Sequence, residues 1–563
     1  MKLKKREVLL DYDEQDSLSE KIFKIRGICD EDIFEFIRPS RQNLNDPFLL
    51  DNMEIAVEMV RDVIRNDKLI AIYSDPDADG VTSCATLYLY LKNFTDNIIH
   101  ISNQRAEGHG IIPEKAMGMD IGLLIAVDSS TNSVAQCEEV SKSGCKVICI
   151  DHHISEGENP FATIVNPKMS KNYPNKELSG SAVVYQFCRA FDMIADIELA
   201  DNYLDLVSVG LVGDMMPLDN LENRFIVYSG LNVIHFTGRN DTPNPQAGNF
   251  GLKSLCKKLK KDYMPTSQDL SFYLVPNLNA CIRLNDINII MDLFLCEDEK
   301  ECGKIAKKLV DINEERKKLT TEIVDKIIES NKINDNKLLI VDMSKLEFKN
   351  AMFGLIANKL SKEFQRPCLI GKVKDGVMIG SGRGCNDEIE LKSHLMNSGL
   401  FNWVKGHENS FGFEFNIENK NKILSHFDIE FKDYFNEEFI EYDLEIDGDE
   451  LTLDNMREMD NISVICGQGF PRPSFLIRSI IPDECKKIGK EENHTKLTIF
   501  GEQENLDIMK FNTTESLSKY YDCDMINVVG NIGVNSFYNF GLKKNVVTRQ
   551  ILADIIECET IEL

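Results

Sequence analysis

A multidomain α/β protein is predicted, in which a doubly wound parallel sheet is followed by a helical bridge, a smaller α/β unit and a mainly β region. Three observations predict it. At 563 residues the chain exceeds what one hydrophobic core organises. From about residue 51, short runs that are apolar throughout (KLIAIYS, NIIHISN, IGLLIAVD, KVICID) alternate with helical stretches, the signature of parallel strands covered on both faces. Near Lys337 a second such run, LLIVD, opens another α/β unit.

Taken in order, residues 1–50 are polar and mixed and predict a short helical lead-in. Residues 51–236 hold the first sheet and, from Ser179, a helical stretch interrupted at Gly213 and Pro217. Residues 237–335 form a connector, a Gly/Pro/Asn-rich segment followed by Lys, Glu and Leu at helical spacing. Residues 336–420 make the second α/β unit. In 421–563, alternating segments such as FIEYDLEI, PSFLIRSI and HTKLTIF predict strands.

Composition excludes several classes. With 43% hydrophobic and 28% charged residues the chain is neither disordered nor membrane-embedded. No apolar run approaches the roughly 20 residues that span a bilayer, and MKLKKREVLL leads into no signal-peptide core, which places the protein in the cytoplasm. Sixteen cysteines without a CxxC pair predict reduced, largely buried thiols. The net charge of −28 argues at first sight against a nucleic-acid partner, yet global charge does not describe a local groove, and a site that gathers divalent cations needs clustered carboxylates.

In a doubly wound sheet, ligands sit beyond the carboxyl ends of the strands. Here LIAIYS is followed by Asp75-Pro76-Asp77-Ala78-Asp79-Gly80, LLIAV by Asp128, and KVICI by Asp151-His152-His153. One such Asp reads most simply as a helix cap or turn residue. Three strand ends bearing carboxylates and imidazoles read as a metal centre. Several carboxylate oxygens with an imidazole nitrogen suit Mn²⁺ or Mg²⁺, and carboxylates shared between two ions activate water for displacement at phosphorus.

DPDADG, the lone Asp after LLIAV, DHH, and the later Asp of GLVGDMMPL together resemble, in order, the four motifs of the DHH phosphoesterase family. The resemblance implies Asp75, Asp77, Asp128, His152 and Asp214 as ligands of two Mn²⁺ or Mg²⁺ ions, with His153 facing the substrate phosphate and Asp151 supporting the histidines. NQRAEGHGI resembles the RecJ branch, with Arg105 as a phosphate or sugar contact, although His109 stands where that branch usually has Tyr. VPNLNACIRL resembles its arginine-bearing loop, here Arg283, with Ile282 in place of the usual Gly. The second α/β unit is similar to the DHH-associated domain. Its GSGRG implies backbone amides, Ser381, Gly382 and Arg383 at a terminal phosphate. KGHENSFG matches the family's Gly-Gly-His element in part, with His407 retained and Lys405 replacing the first Gly. GQGFPRPSFLIRSI and HTKLTIFG resemble the start of the OB-like β-barrel that RecJ exonucleases append, with Phe470, Arg472, Phe475, Arg478 and Lys496 as potential strand contacts, although aromatics alternating in a strand are more often core.

The resemblance implies 5′ to 3′ hydrolysis of single-stranded DNA to mononucleotides in repair or recombination, with a single-strand-binding protein as partner. Two other readings stay open. One is a DHH phosphodiesterase acting on short oligonucleotides, RNA or cyclic dinucleotides. The other is a catalytically inactive DNA-binding scaffold.

Overall fold

The structure, a computed structural model, describes residues 2–236, 248–261, 265–284, 286–330, 333, 335–345, 352–385, 389–432, 439–489, 491–501, 504–513, 516–521, 523–539 and 543–559. Most of the Gly/Pro/Asn-rich segment after Phe236 lies outside the described residues. Among them no helix is long and apolar enough to cross a membrane.

The chain opens with β1 (Lys2–Lys5), α1 (Leu18–Ile25) and α2 (Asp30–Ile37). Next come α3 (Met53–Arg65), β2 (Leu69–Ser74), α4 (Ala78–Leu91), β3 (Ile98–Ser102), α5 (Pro113–Ala116), β4 (Ile121–Val127), α6 (Val134–Lys142), β5 (Lys146–Ile150) and β6 (Thr163–Val165). The five strands lie in the order β3-β2-β4-β5-β6, all parallel. Successive side chains point to opposite faces, and both faces are covered. Ile70, Ile72, Leu123 and Ile125 join a core with α3, α4 and the later helices, while Ala71, Tyr73, Leu124 and Ala126 pack against α5 and α6. That double burial is why these strands read as unbroken apolar runs. The unit continues through α7 (Gly180–Ala195), α8 (Leu204–Gly213) and α9 (Leu221–Phe236).

The connector is helical, with α10 (Phe250–Leu259), α11 (Ser267–Asp269), α12 (Val275–Arg283), α13 (Asn288–Leu295) and the 31-residue α14 (Glu299–Glu329). The first half of α14 buries Cys302, Ala306 and Leu309 in the first unit's core, and its end buries Ile323, Val324 and Ile327 against the second unit. One continuous helix thus carries the geometry from one unit to the other.

The second unit contains β7 (Leu339–Asp342), α15 (Phe353–Phe364), β8 (Cys368–Lys374), β9 (Val377–Arg383), α16 (Leu391–Asn397), β10 (Trp403–His407), β11 (Ser410–Asn416) and α17 (Lys420–Glu430). Its strand order is β10-β11-β9-β8-β7, with β7 and β8 parallel and the rest antiparallel.

The C-terminal unit holds β12 (Phe439–Tyr442), β13 (Leu444–Ile446), α18 (Leu453–Ser463), β14 (Phe475–Ile480), β15 (Glu484–Ile488), β16 (His494–Ile499), β17 (Leu506–Lys510), α19 (Ser518–Tyr521), β18 (Met525–Asn539) and β19 (Lys544–Glu559). Seven strands run in the order β13-β14-β18-β19-β17-β16-β15. Among the described residues no ladder joins β13 to β15. The two longest strands, β18 and β19, pair antiparallel in the middle of this sheet.

The N-terminal residues belong physically to this C-terminal unit. β1 pairs in parallel with β12, and Leu18, Ile22, Phe23, Ile25 and Phe36 enter the core formed by residues 444–556. The fully buried Arg224 of α9 fastens this assembly to the first unit. Its guanidinium lies 4.4 Å from the centre of the Phe36 ring and 4.9 Å from that of Phe470. It donates to the carbonyls of Phe36 (2.8 Å), Leu218 (2.8 Å) and Ile465 (3.1 Å).

Candidate metal centre and phosphate-facing arginines

The first sheet reverses its winding at β2, which has β3 on one side and β4 on the other. The carboxyl ends of β2 and β4 therefore border an open crevice. Asp75 follows β2, Asp128 follows β4 and Asp151 follows β5. Asp128 sits at φ 58°, a left-handed conformation that Asp tolerates better than most residues, and its amide donates to the Ile150 carbonyl at 2.8 Å. Asp77 caps α4, accepting the Gly80 amide at 2.9 Å. Asp214, at the end of α8, arrives from the helical half of the unit.

These groups meet around His152. Its Nε2 lies 3.2 Å from Asp128 Oδ1 and 3.4 Å from Asp214 Oδ2. Donor atoms of Asp128, His152 and His153 form one group within 4.8 Å of one another, and those of Asp79, His152 and Asp214 form a second. Asp75, Asp128 and His152 are all buried. Asp128 Oδ1 and His152 Nδ1 are enclosed without a hydrogen-bond partner among the described residues. Orphaned buried polar atoms are rare and costly. Carboxylate oxygens and an imidazole turned toward one point are the donor set of a divalent cation of the Mn²⁺ or Mg²⁺ kind, so the residues fit such an ion.

The electrostatics agree. Burial, then the charges of Asp79 and Asp77, push the Asp214 carboxyl up to about 8. The same causes raise Asp128 well above its ordinary value. Burial also raises Asp75, opposed by the His109 imidazole bonded to its Oδ2. Groups whose acidity is suppressed hold protons at neutral pH and must release them to a cation. Apparent Mn²⁺ affinity is therefore expected to climb as pH rises from 6 toward about 8, with net proton release near pH 7. Calorimetric Mn²⁺ titrations in two buffers of different ionisation enthalpy check both sign and count.

Asp151 braces the two histidines. Its Oδ1 accepts the amides of His152 (2.7 Å) and His153 (3.2 Å) and lies 2.7 Å from His153 Nδ1, while Oδ2 accepts the Thr131 amide at 3.0 Å. Burial opposes its ionisation, but the bond and charge of His153 outweigh it and hold the carboxyl well below the usual range. Reciprocally, the Asp151 bond raises His153 to about 9, leaving a cationic ring, half exposed, at the mouth of the crevice.

Asp79 is the residue of DPDADG that sequence reading left without a role. It is buried, and its two oxygens accept the amides of Gly180 (2.6 Å) and Ser181 (3.0 Å), tying the start of α7 to the start of α4. At Gly180 a Cβ would lie 2.5 Å from Asp128 Oδ1, so only glycine fits this approach. The available signal was the third carboxylate of a D-x-D-x-D run.

Arg105, Arg283 and Arg383 come from three elements: the turn after β3, the end of α12 and the end of β9. After burial, what depresses Arg283 to about 9 is the charge of Arg105, then Arg383, then Arg316. Arg383 is lowered to about 10 by burial and then Arg105. Four guanidiniums therefore crowd one region, Arg316 of α14 among them, its buried Nε without a hydrogen-bond partner. Arg105 donates to the Pro76 carbonyl at 3.2 Å, inside the first metal-binding motif. His407, at the end of β10, is depressed by burial and next by the charge of His153, which puts the second unit within electrostatic reach of the crevice.

Three expectations are corrected. GSGRG is not a phosphate-cradling loop. Residues 380–383 are the C-terminal half of β9, paired with β8 and β11 on its two sides, so their amides are committed to the ladders. The glycines serve close packing, since a Cβ at Gly382 would lie 2.2 Å from the Phe411 ring. What this strand offers is the side chains of Ser381 and Arg383. The arginine-bearing loop is instead a helix, α12, entered through a π-helical turn at Leu270–Leu274 and anchored by the buried Ile282. In the C-terminal unit, Phe470 and Phe475 are core residues, Arg478 pairs with Glu445 at 2.7 Å, and Lys496 pairs with Asp507 at 2.6 Å. The exposed aromatics there include Phe500 and Phe511.

Comparison with known proteins agrees with this fold. Residues 69–211 match the model of the DHH family N-terminal domain, and residues 442–541 match the RecJ OB domain. The chain thus contains a DHH-family N-terminal domain and, further on, a RecJ OB domain. It is 28% identical over 519 residues to the single-stranded-DNA-specific exonuclease RecJ of Bacillus subtilis, covering 90% of this chain and 64% of that protein's length. To RecJ of Haemophilus influenzae it is 25% identical over 574 residues, covering 96% of each. The crystal structure of RecJ in complex with Mn²⁺ from Thermus thermophilus shares the fold, with a TM-score of 0.75 and 19% identity over 96% of this chain and 76% of the other.

Proposed function

We propose that this protein is a metal-dependent exonuclease that removes mononucleotides from the 5′ end of single-stranded DNA. The observation that carries the reading is the approach of both Asp128 and Asp214 to His152 Nε2, with the cationic groups Arg105, Arg283, Arg316 and Arg383 gathered from the units around it. The same proposal takes residues 51–236 as the catalytic unit, 237–335 as the connector, 336–420 as the unit that closes over the strand end and 421–563 as the strand-binding unit.

Asp75, Asp77, Asp128, His152 and Asp214 would hold two Mn²⁺ or Mg²⁺ ions, which supply Lewis-acid polarisation of the phosphodiester and a lowered pKa for the attacking water. The protein's own groups bind and orient. Asp151 fixes both histidine rings, and His153, held cationic, presents its remaining N–H to a phosphate oxygen. The guanidiniums, with Ser381, grip the terminal phosphate, where an anion relieves their mutual repulsion. Gripping the end restricts cleavage to the linkage next to it, which is exonuclease rather than endonuclease action. His407 closes the site from the second unit. Because Arg383 grips through charge-assisted bonds worth about 2–3 kcal/mol, Arg383→Ala is expected to raise KM for 5′-phosphorylated strands by roughly 30- to 100-fold with a smaller change in kcat. Preference for a 5′-phosphate over a 5′-hydroxyl should fall with it. Steady-state kinetics on both kinds of end measure this.

Strand binding by the C-terminal unit would use Phe500 and Phe511 rather than Phe470 and Phe475. Base–aromatic stacking contributes about 1–3 kcal/mol per base. Phe500→Ala with Phe511→Ala should therefore weaken binding of a long strand at least about 10-fold while leaving dinucleotide hydrolysis unchanged, as read by fluorescence anisotropy and product release.

The reading is tested by digesting single-stranded DNA, duplex DNA and RNA, each labelled at either end, with Mn²⁺ and with Mg²⁺. Mononucleotides released first from the 5′ end of single-stranded DNA support it. Faster turnover of dinucleotides, RNA or cyclic dinucleotides favours the phosphodiesterase reading, and strand binding without turnover favours the inactive scaffold. A single-strand-binding protein would join as a partner by delivering the strand.

A further inference from the structure

We infer that the second α/β unit carries a separate binding site for a zinc-class transition metal, formed by His394 of α16 with His426 and Glu430 of α17. These residues lie apart in sequence from the carboxylate cluster of the first unit and play no part in the proposed cleavage. His426 and Glu430 are four residues apart on one helix, the spacing that places two side chains on the same face, and α16 supplies the third.

The distances have the dimensions of a coordination sphere. His394 Nε2 lies 3.2 Å and His426 Nε2 lies 3.1 Å from the same oxygen, Glu430 Oε2. Bonds of about 2.0–2.1 Å in a tetrahedron set donor atoms roughly 3.3 Å apart. All three donor atoms lie within 4.8 Å of one another. The two imidazole rings stack with centres 5.5 Å apart and planes 21° apart, and the Nε2 atom of each lies beside the shared carboxylate.

A simple ion pair leaves one atom unexplained. His394 Nε2 is buried and has no hydrogen-bond partner among the described residues, although the Glu430 oxygen is near it. The oxygen is close without lying along an N–H direction, which suits a lone pair pointing at a shared ion better than a proton donated to a carboxylate. Phe431, edge-on at 4.7 Å, and Phe427, at 5.8 Å, wall the His394 ring and hold its orientation.

Two imidazoles and one carboxylate select zinc or its late first-row neighbours, such as Co²⁺ and Ni²⁺, over Mg²⁺ or Ca²⁺. Three protein ligands leave a fourth position for water, and the half-exposed His426 and Glu430 give the ion an entry path. Bound there, the ion ties α16 to α17, so the stability of this unit responds to zinc independently of the carboxylate centre.

The test uses the full-length protein stripped of metal, loaded with Zn²⁺ and freed of unbound metal, with the retained zinc counted in four forms: wild type, His426→Ala, Glu430→Gln and Asp128→Asn. Both helix variants change exposed side chains. His426→Ala is expected to retain one equivalent fewer than wild type, and Glu430→Gln to bind that equivalent at least about 100-fold more weakly. In Asp128→Asn, Zn²⁺ should still raise the melting temperature, and adding His426→Ala should remove that rise. Co²⁺ gives a second readout, a visible absorption band that persists in Asp128→Asn and disappears with His426→Ala. Equal zinc content in wild type and His426→Ala, or a cobalt band unchanged by that substitution, would overturn the inference. Mn²⁺-dependent DNA cleavage is expected to be the same in wild type and His426→Ala.

Discussion

Asp128→Asn is expected to abolish Mn²⁺-dependent hydrolysis, lowering kcat/KM by at least about 10³-fold, while making the metal-free protein more stable. Both effects follow from one arrangement. Asp128 has a buried oxygen without a hydrogen-bond partner, 3.2 Å from His152, with Asp79, Asp77, Asp214 and Asp75 contributing to its repulsive field. Partners outside a metal's ligand set commonly account for 10- to 100-fold in activity, so loss of a ligand exceeds that. Asn keeps the shape and tolerates the left-handed backbone at φ 58°, so folding is preserved. The sign of the stability change is fixed by the raised carboxyl. A group whose folded value lies above its unfolded one contributes stability at low pH, and that contribution is lost as pH rises through the folded value. The wild-type metal-free protein therefore loses stability as pH rises above the ordinary carboxyl range, and Asp128→Asn loses less. A gain in melting temperature of about 2–5 °C at neutral pH, with little gain at about pH 3, below the unfolded carboxyl's value, is the outcome expected from calorimetry in EDTA. A variant of unchanged activity, or one that is less stable at neutral pH, would contradict this account of Asp128.

Asp79→Ala is expected to cost both stability and activity. The buried carboxylate accepts the Gly180 and Ser181 amides at 2.6 and 3.0 Å, and losing charge-assisted bonds to buried donors costs about 3–5 kcal/mol in total. Gly180 is packed against Asp128, so a shifted α7 displaces the carboxylate that the metal centre needs. The expected result is a lower denaturation midpoint and a roughly 10²-fold loss of kcat/KM, partly recovered at saturating Mn²⁺. That recovery separates a positioning residue from Asp128, whose loss added metal should not repair.

The parts of this protein legible from sequence are those governed by local periodicity. The strands of the first sheet are buried on both faces, so their runs stand out, and the acids that end them fall at the crevice by topology alone. Asp214 needed the resemblance to be singled out, because an Asp ending a helix has an ordinary explanation as a cap. Sequence reading did not reach contacts between distant segments. The pairing of β1 with β12 and the packing of Phe23 and Phe36 on Phe470 join residues more than 400 apart, so the first fifty residues looked featureless. Arg316 lies in a polar helical stretch where a lysine or arginine is commonplace, and only burial beside other arginines distinguishes it. GSGRG was misread because glycines that would let backbone amides reach a phosphate equally admit neighbouring strands and the Phe411 ring. Phe470 and Phe500 are both aromatics of the C-terminal unit, and only the tertiary structure separates the core residue from the exposed one.

The most direct measurement is anomalous diffraction from crystals of this protein soaked in Mn²⁺, recorded at the manganese absorption edge. Manganese peaks within bonding distance of Asp128, His152 and Asp214, and lost in Asp128→Asn crystals, are the predicted result. Manganese bound elsewhere, with those three side chains free of it, would contradict the assignment of the crevice as the metal centre.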